Sequence, residues 1–224
     1  MMLKKNRYNF AAPFSIIDPH DGLYRPHDGH CWLSPCGRLG YVQISKCAST
    51  QMIAWCRQQR WQHSRYLGQT ENKKRRYLVL LRDPMDRWIS GIKQWMATNN
   101  YVPGEFSDHA WDLVYQHLMF DDHTMPQYRF LLGLPIRSID AVDVVPGDGT
   151  SRAIKEILGR YGYDCWLDPK MDRNRHPGPV SRIESWFLME SFMRHFHSVY
   201  SEDYWLRLWL LDCAVPGEIL KSRK

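Results

Sequence analysis

The sequence predicts an α/β fold in which helices cover a parallel sheet. Apolar, β-branched runs at 41–44 and 76–81 are each followed by a short polar loop and then by a helical pattern. A third apolar run, at 139–145, ends in Pro and Gly and precedes another helical pattern. Strands that alternate with helices in this way are typical of parallel sheets with right-handed crossovers.

Length and composition predict one folded domain. The chain has 224 residues, of which 44% are hydrophobic, so it is long enough to bury a substantial core. We expect a single domain over 1–224, with a loop-rich N-terminal segment (1–39) and a core (40–224). The formal net charge of +6 favours an anionic ligand. Nucleic acid is not expected as a partner, because no helical pattern carries a long Lys/Arg stripe.

Neither a signal-peptide pattern nor a long apolar stretch occurs in the sequence, so we expect a cytoplasmic protein without a membrane span. The six cysteines lack CxxC spacing, and reduced thiols are the expectation in that compartment. His27, His30, Cys31 and Cys36 lie close together but match no standard zinc module. No metal is therefore expected.

The first predicted unit is a strand, loop and helix spanning 40–60. Small and hydroxylated residues at 45–50 interrupt the strand pattern, and a helical pattern begins at Gln51. N–H groups in the first turn of a helix have no partner within the helix, and the helix dipole adds positive potential there. Such a helix N-terminus can bind an anion, and Lys46, inside the loop, can reach that anion. The alternative is an ordinary connecting turn, because the glycines of a Walker A loop are absent.

The second unit begins with the strand pattern at 76–81. Asp83 is suited to cap the following helix, and Pro84 is suited to its first position. Arg82 therefore lies at the C-terminal end of a strand, where open α/β sheets bind ligands. Ser90 follows about two helical turns later.

The remaining segments are assigned from periodicity and from turn residues. An edge strand at 14–17 and a polar connection at 62–74 flank the first unit. Helices are predicted at 84–97, 107–120, 126–132, 151–161 and 181–200, with a further helical segment to about 211. A basic, proline-rich loop at 168–180 carries Arg173, Asn174, Arg175 and His176.

Two of these motifs resemble a known family. A strand ending in Arg82-Asp83-Pro84, with Ser90 eight residues after the arginine, resembles the 3′-phosphate-binding motif of sulfotransferases. These enzymes use 3′-phosphoadenosine 5′-phosphosulfate (PAPS). Residues 46–50 resemble the 5′-phosphosulfate loop of their carbohydrate-type branch, in which Gly is often replaced by Ala or Cys. Ser45 departs from the pattern, since the family usually has Pro before the lysine.

Two further segments agree with this branch. His123-Thr124-Met125-Pro126-Gln127 resembles its His-x-x-Pro-Gln segment. Tyr200-Ser201-Glu202-Asp203-Tyr204 resembles the Tyr-x-x-Asp-Tyr start of its C-terminal helix. The resemblance extends from Tyr41 to Trp209.

The resemblance implies a three-layer fold like that of P-loop nucleotide kinases, with a central parallel sheet and a helical C-terminal part. It also implies sulfuryl transfer from PAPS to a hydroxyl or amine of a carbohydrate or other small molecule, without a metal. Lys46 would contact the oxygen that bridges phosphate and sulfate. The residues assigned to donor binding are Lys46, Cys47, Ala48, Ser49, Thr50, Arg82 and Ser90. Asn174 and Arg175 either close over the nucleotide, bind an acidic acceptor or belong to a solvated loop.

The acceptor needs a base, for which two histidines are candidates. His123 is the first choice, because Asp121 or Asp122 could fix its tautomer. His63 is the alternative, because some enzymes of this branch carry the base between the loop and the second strand, and His63 is the only histidine there.

Two other function classes stay open at this point. A P-loop kinase would act on ATP, but the sequence lacks the Walker A pattern and a Mg²⁺-binding Asp directly after an apolar strand. A non-catalytic descendant would keep the fold for binding, since a fold does not determine a function.

Overall fold

The computed structural model describes residues 30–64, 75–98, 108–131, 134, 138–145, 149–165 and 180–213. These residues form an α/β fold with a mixed, open sheet of five strands. The strands are β1 (Cys31–Leu33), β2 (Leu39–Val42), β3 (Gln62–Ser64), β4 (Arg76–Leu81) and β5 (Ile139–Asp143). Their order across the sheet is β3-β1-β2-β4-β5.

The prediction of parallel strands is confirmed for β2, β4 and β5. Val42 of β2 lies opposite Val79, and Tyr77 of β4 lies opposite Ile139, in parallel register. For the sheet as a whole the prediction is wrong, because β1 runs antiparallel to both β2 and β3. A tight turn explains the pairing of β1 with β2: Ser34 N–H donates to the Leu39 carbonyl at 2.9 Å, and so short a link joins only antiparallel neighbours.

Three segment boundaries are corrected by the structure. Strand β1 lies inside the segment predicted as loop, and β3 lies inside the predicted connection 62–74. Each has only three residues, too few for a period-2 pattern to appear in the sequence. Strand β2 covers Leu39–Val42 rather than 41–44, because the Ile44 carbonyl already accepts the Cys47 N–H in the following turn.

The helices are α1 (Ser49–Gln58), α2 (Pro84–Thr98), α3 (Asp108–His117), α4 (Gly149–Gly159), α5 (Val180–Trp186) and α6 (Glu190–Cys213), with a 3-10 helix at Gln127–Leu131. The predicted cap of α2 is confirmed: Asp83 Oδ1 accepts the N–H groups of Met85 and Asp86 at 3.0 and 3.2 Å. The helix predicted over 181–200 is divided at 187–189, and the one predicted to 120 ends at His117. None of the described helices is both long and apolar enough to cross a bilayer.

Two hydrophobic clusters hold these elements together. One lies on the sheet and includes buried residues of α1 and α4. The other joins α2, α3, α5 and α6, and Trp88, Ile92 and Trp95 belong to it, as the helical spacing predicted. Helix α2 begins three residues after the end of β4 and packs in the helical cluster, so it connects the sheet to that cluster. The predicted strand at 14–17 and residues 173–176 lie outside the described part of the chain.

Candidate functional site

The loop between β2 and α1 has a backbone shape suited to an anion. Lys46 and Ala48 have φ angles of 68° and 54°, in the left-handed region that residues with a side chain rarely adopt. Left-handed residues in a turn direct successive N–H groups towards one concave side, as in anion-binding nests. Ala48 is the N-cap of α1 and has no side-chain acceptor for the N–H groups of the first turn. The loop therefore reaches this shape without glycine.

The Lys46 side chain contacts α2 and lies near several charged groups. Its Nζ donates to Gln94 Oε1 at 3.1 Å. Burial lowers the pKa of Lys46, and the positive charges of Arg82 and Arg87 lower it further, against the opposing effect of Asp121 and Asp122. A ligand with negative charge would relieve the repulsion among these three cations.

Arg82 and the loop are joined through one buried side chain, that of Gln127. Gln127 Oε1 accepts the Arg82 N–H at 2.9 Å, and Gln127 Nε2 donates to the Arg82 carbonyl at 2.8 Å. The Cys47 thiol donates to the same Oε1 at 3.2 Å. The two predicted phosphate-binding segments are therefore held in a fixed relation.

Ser90 lies on α2, where this helix touches residues 121–125, which we call the His123 turn. A Cβ atom on the next residue, Gly91, would stand 2.2 Å from the His123 carbonyl oxygen. That approach is possible only without a side chain, so Gly91 sets the distance between α2 and the His123 turn. Ser90 itself is half-buried.

The His123 turn carries an ion-paired cluster. His123 Nδ1 lies 2.9 Å from Asp121 Oδ2 and 3.2 Å from Asp122 Oδ1. Burial favours the neutral imidazole, but hydrogen bonds and charge from Asp121 and Asp122 outweigh it and raise the pKa of His123 to about 9. Since Nδ1 is engaged by the carboxylates, proton transfer by this ring would run through Nε2. The Ser45 hydroxyl donates to Asp122 Oδ2 at 2.7 Å and so links the cluster to the β2–α1 loop.

The same three residues form the one group in the described ranges with metal-ligand geometry. The candidate ligand atoms of Asp121, Asp122 and His123 all lie within 4.8 Å of one another. Each of the three side chains already has a hydrogen-bond partner in the protein. This arrangement fits an ion-paired turn, and the expectation that no metal takes part stays a prediction.

Arg87 was not singled out by sequence reasoning, although it organises the site. Its guanidinium is buried and donates to the backbone carbonyls of Ser45 at 2.8 Å, Asp122 at 3.0 Å and Met125. It thereby ties the start of the β2–α1 loop to the His123 turn. The signal lay in the spacing, because Arg87 is three residues after Pro84 and one before Trp88 on the buried face of α2.

The two weaker motifs meet in the structure. Asp203 of α6 accepts the N–H groups of Gln127 and Tyr128 at 2.7 and 2.8 Å, so it caps the 3-10 helix. The Tyr200 hydroxyl donates to the Thr124 carbonyl. Burial raises the pKa of Asp203 to about 6 despite these hydrogen bonds. The C-terminal helix therefore supports both Gln127 and the His123 turn.

The second candidate base lies elsewhere on the sheet. His63, on β3, has its Nε2 2.9 Å from His30 Nδ1, and its ring centroid is 5.0 Å from that of Trp32. Strand β1 separates β3 from β2, which places the two strands about 10 Å apart. The structure thus groups His63 with His30, whereas His123 is joined to the β2–α1 loop through Asp122. Asn174 and Arg175 lie outside the described residues.

No protein-family model, curated protein or solved structure matches the chain. The resemblance to sulfotransferases therefore rests on the motifs themselves and on the way they meet.

Proposed function

We propose that this chain is a PAPS-dependent sulfotransferase with the three-layer fold of P-loop nucleotide kinases, acting on a hydroxyl or amine of a carbohydrate or other small molecule. One observation carries the proposal. Four separate motifs that resemble this family are joined by direct contacts of Gln127, Arg87 and Asp203. The resemblance predicts that these four motifs lie together, and their contacts agree with that prediction.

The arrangement suits a nucleotide with phosphates at both ends of its ribose. Strands β2 and β4 are parallel neighbours, so the β2–α1 loop and Arg82 follow the same edge of the sheet. The N–H groups of residues 48–50 and the hydroxyls of Ser49 and Thr50 hold the 5′ end, while the Cys47 N–H, which was also expected to bind there, is bonded to the Ile44 carbonyl. Arg82 and Ser90 hold the 3′-phosphate, and the planar fork of Arg82 binds phosphate in bidentate fashion.

Transfer forms one bond and breaks another. The acceptor oxygen or nitrogen attacks the sulfur, the bond from sulfur to the bridging phosphate oxygen breaks, and adenosine 3′,5′-bisphosphate (PAP) leaves. Negative charge grows on that phosphate oxygen, and Lys46 stabilises it. Positioning and electrostatic stabilisation supply most of the rate enhancement, as in phosphoryl transfer.

The acceptor proton goes to His123 in this proposal. Asp121 holds Nδ1, and Nε2 takes the proton, a division of labour that other His–Asp pairs use. The raised pKa means that the imidazole carries a proton at neutral pH in the free protein. Only the deprotonated fraction can act as base, so activity rises with pH.

Turnover of radiolabelled PAPS with sugar, phenol and amine acceptors tests the proposal. We expect labelled acceptor and an equal amount of PAP from at least one class. Binding of PAP without transfer to any acceptor would favour the non-catalytic alternative. Tighter binding of Mg²⁺–ATP than of PAP would favour the kinase.

A further inference from the structure

The side-chain amide of Gln127 takes the place of a neighbouring strand where β4 ends. Arg82 is the first residue after β4, and its N–H and carbonyl both bond to Gln127 at 2.9 and 2.8 Å. Buried backbone polar groups require such partners. A side-chain amide carries an N–H donor and a carbonyl acceptor side by side, and among neutral side chains only those of Asn and Gln have this group. Gln127 therefore fixes the backbone of Arg82 in position.

The same side chain also contacts the other end of the proposed donor site. The Cys47 thiol donates to Gln127 Oε1 at 3.2 Å, and Cys47 belongs to the β2–α1 loop. Gln127 is fully buried, and its own N–H is held by Asp203 at 2.7 Å. One rigidly held amide thus sets the spacing between the loop and Arg82.

We propose that Gln127 is a positioning residue that makes the site selective for nucleosides phosphorylated at both the 3′ and the 5′ positions. This inference rests on the proposed function. A ligand with one phosphate can shift to suit either binding segment, but a bisphosphate must satisfy both at one fixed spacing. Loss of Gln127 should therefore weaken the binding of PAP more than the binding of 5′-AMP or of 3′-AMP.

Calorimetric titration of the full chain with PAP, 5′-AMP and 3′-AMP tests this. The wild-type protein should prefer PAP to 5′-AMP by about tenfold to a hundredfold, the equivalent of one charge-assisted phosphate contact. Gln127→Met keeps the side-chain length and removes the donor and the acceptor. We expect it to reduce that preference by about tenfold while each monophosphate binds within about twofold of its wild-type affinity. Ile154→Val, which removes a buried methyl group from α4, should leave all three affinities unchanged.

A second variant keeps the test decisive if Gln127→Met does not fold. In Gln127→Glu the carboxyl has a donor when protonated and only acceptors when ionised. The preference of this variant for PAP, relative to the wild type at each pH, should therefore fall as pH rises through the titration of the introduced carboxyl. Difference infrared spectroscopy shows the pH at which the introduced carboxyl is ionised, and a preference that follows the wild type at and above that pH would contradict the inference.

The outcomes separate the inference from the function on which it rests. A wild-type protein without preference for PAP over 5′-AMP would overturn the proposed 3′-phosphate site, and the inference with it. A wild-type preference that Gln127→Met retains would overturn the inference alone. An equal loss of affinity for all three nucleotides would mean that Gln127 only stabilises the fold.

Discussion

At the scale of single residues, Arg87 illustrates how a buried charge can be tolerated. Its guanidinium donates to three backbone carbonyls and lies 5.5 Å from the centroid of the Phe130 ring. A buried charge is costly unless it is hydrogen-bonded, and carbonyl dipoles compensate it without neutralising it. The positive charge of Arg87 therefore persists beneath the β2–α1 loop and adds to the attraction for an anion.

Lys46 gives the most direct test of the chemistry. Lys46→Ala should lower kcat by on the order of 10²-fold, because in the proposed mechanism the ammonium stabilises the charge that develops in the transition state. Steady-state kinetics with PAPS measure the effect. Lys155→Ala, which removes an exposed lysine of α4, is the control and should turn over like the wild type. Equal kcat in the two variants would exclude Lys46 from the transfer step.

The pKa of His123 predicts an unusual pH profile. Because only the neutral imidazole accepts a proton, kcat/KM should rise with pH up to about pH 9. Lys46, whose pKa burial lowers, loses its proton at still higher pH, so no long plateau is expected above the titration of His123. His123→Gln should abolish the rise, and NMR titration of the wild-type protein should find a histidine with the same pKa. If kcat/KM of His123→Gln still falls as pH drops through about 6 to 7, another group is the base, and His63 is the next candidate.

At the scale of secondary-structure elements, α6 acts on the site through the cap that Asp203 provides to the 3-10 helix. Asp203→Asn keeps one acceptor and turns an amide donor towards the second N–H group, so we expect a loss of about 1–3 kcal/mol in the free energy of unfolding. Urea unfolding measures this loss. Glu202→Gln, at the exposed neighbouring position, is the control and should unfold like the wild type.

The pH dependence of that loss has a definite sign. The folded state raises the pKa of Asp203 from 3.8 to about 6, so the folded state holds this proton more tightly than the unfolded state. The stability contributed by this group is complete below about pH 4 and declines as pH rises to about 6. The difference between the wild type and Asp203→Asn should therefore shrink over that interval. A difference that grows with pH would show that Asp203 is more acidic in the folded protein.

At the scale of the whole molecule, the sequence predicted those parts whose signals are local. The strand β4, the Asp83 cap and the helix α2 follow from an apolar run and an Asp-Pro pair within 23 consecutive residues, Arg76–Thr98. Strands β1 and β3 were not predicted, because each has only three residues and is recognised as a strand by its pairing with a neighbour. The joining role of Gln127 depends on Arg82, 45 residues away, and no local pattern encodes that contact.

Nucleotide binding by the intact protein discriminates the function classes before any acceptor is known. A ligand at a hundredfold excess over its Kd stabilises the folded state by about 2.7 kcal/mol. Each kcal/mol raises Tm by about 2–4 °C for a chain of this size. PAP should therefore raise Tm by several degrees, and ADP, which lacks the 3′-phosphate, should raise it much less, with or without Mg²⁺. Arg82→Ala should respond weakly to both nucleotides, and a full response of this variant to PAP would contradict the assigned phosphate site.

The contacts that build the site join distant parts of the chain, and this has a consequence for the order of folding. Ser45 and Asp122 are 77 residues apart, and Gln127 and Asp203 are 76 residues apart. Closing such long loops costs entropy that is recovered only once the surrounding core is packed. We therefore expect these contacts to form together with the packed core rather than before it. Accordingly, we expect the amide hydrogens of Gln127 and Tyr128 to exchange with solvent only when the fold opens as a whole, and we expect PAP, through the binding proposed above, to slow the exchange of amides that depend on this global opening.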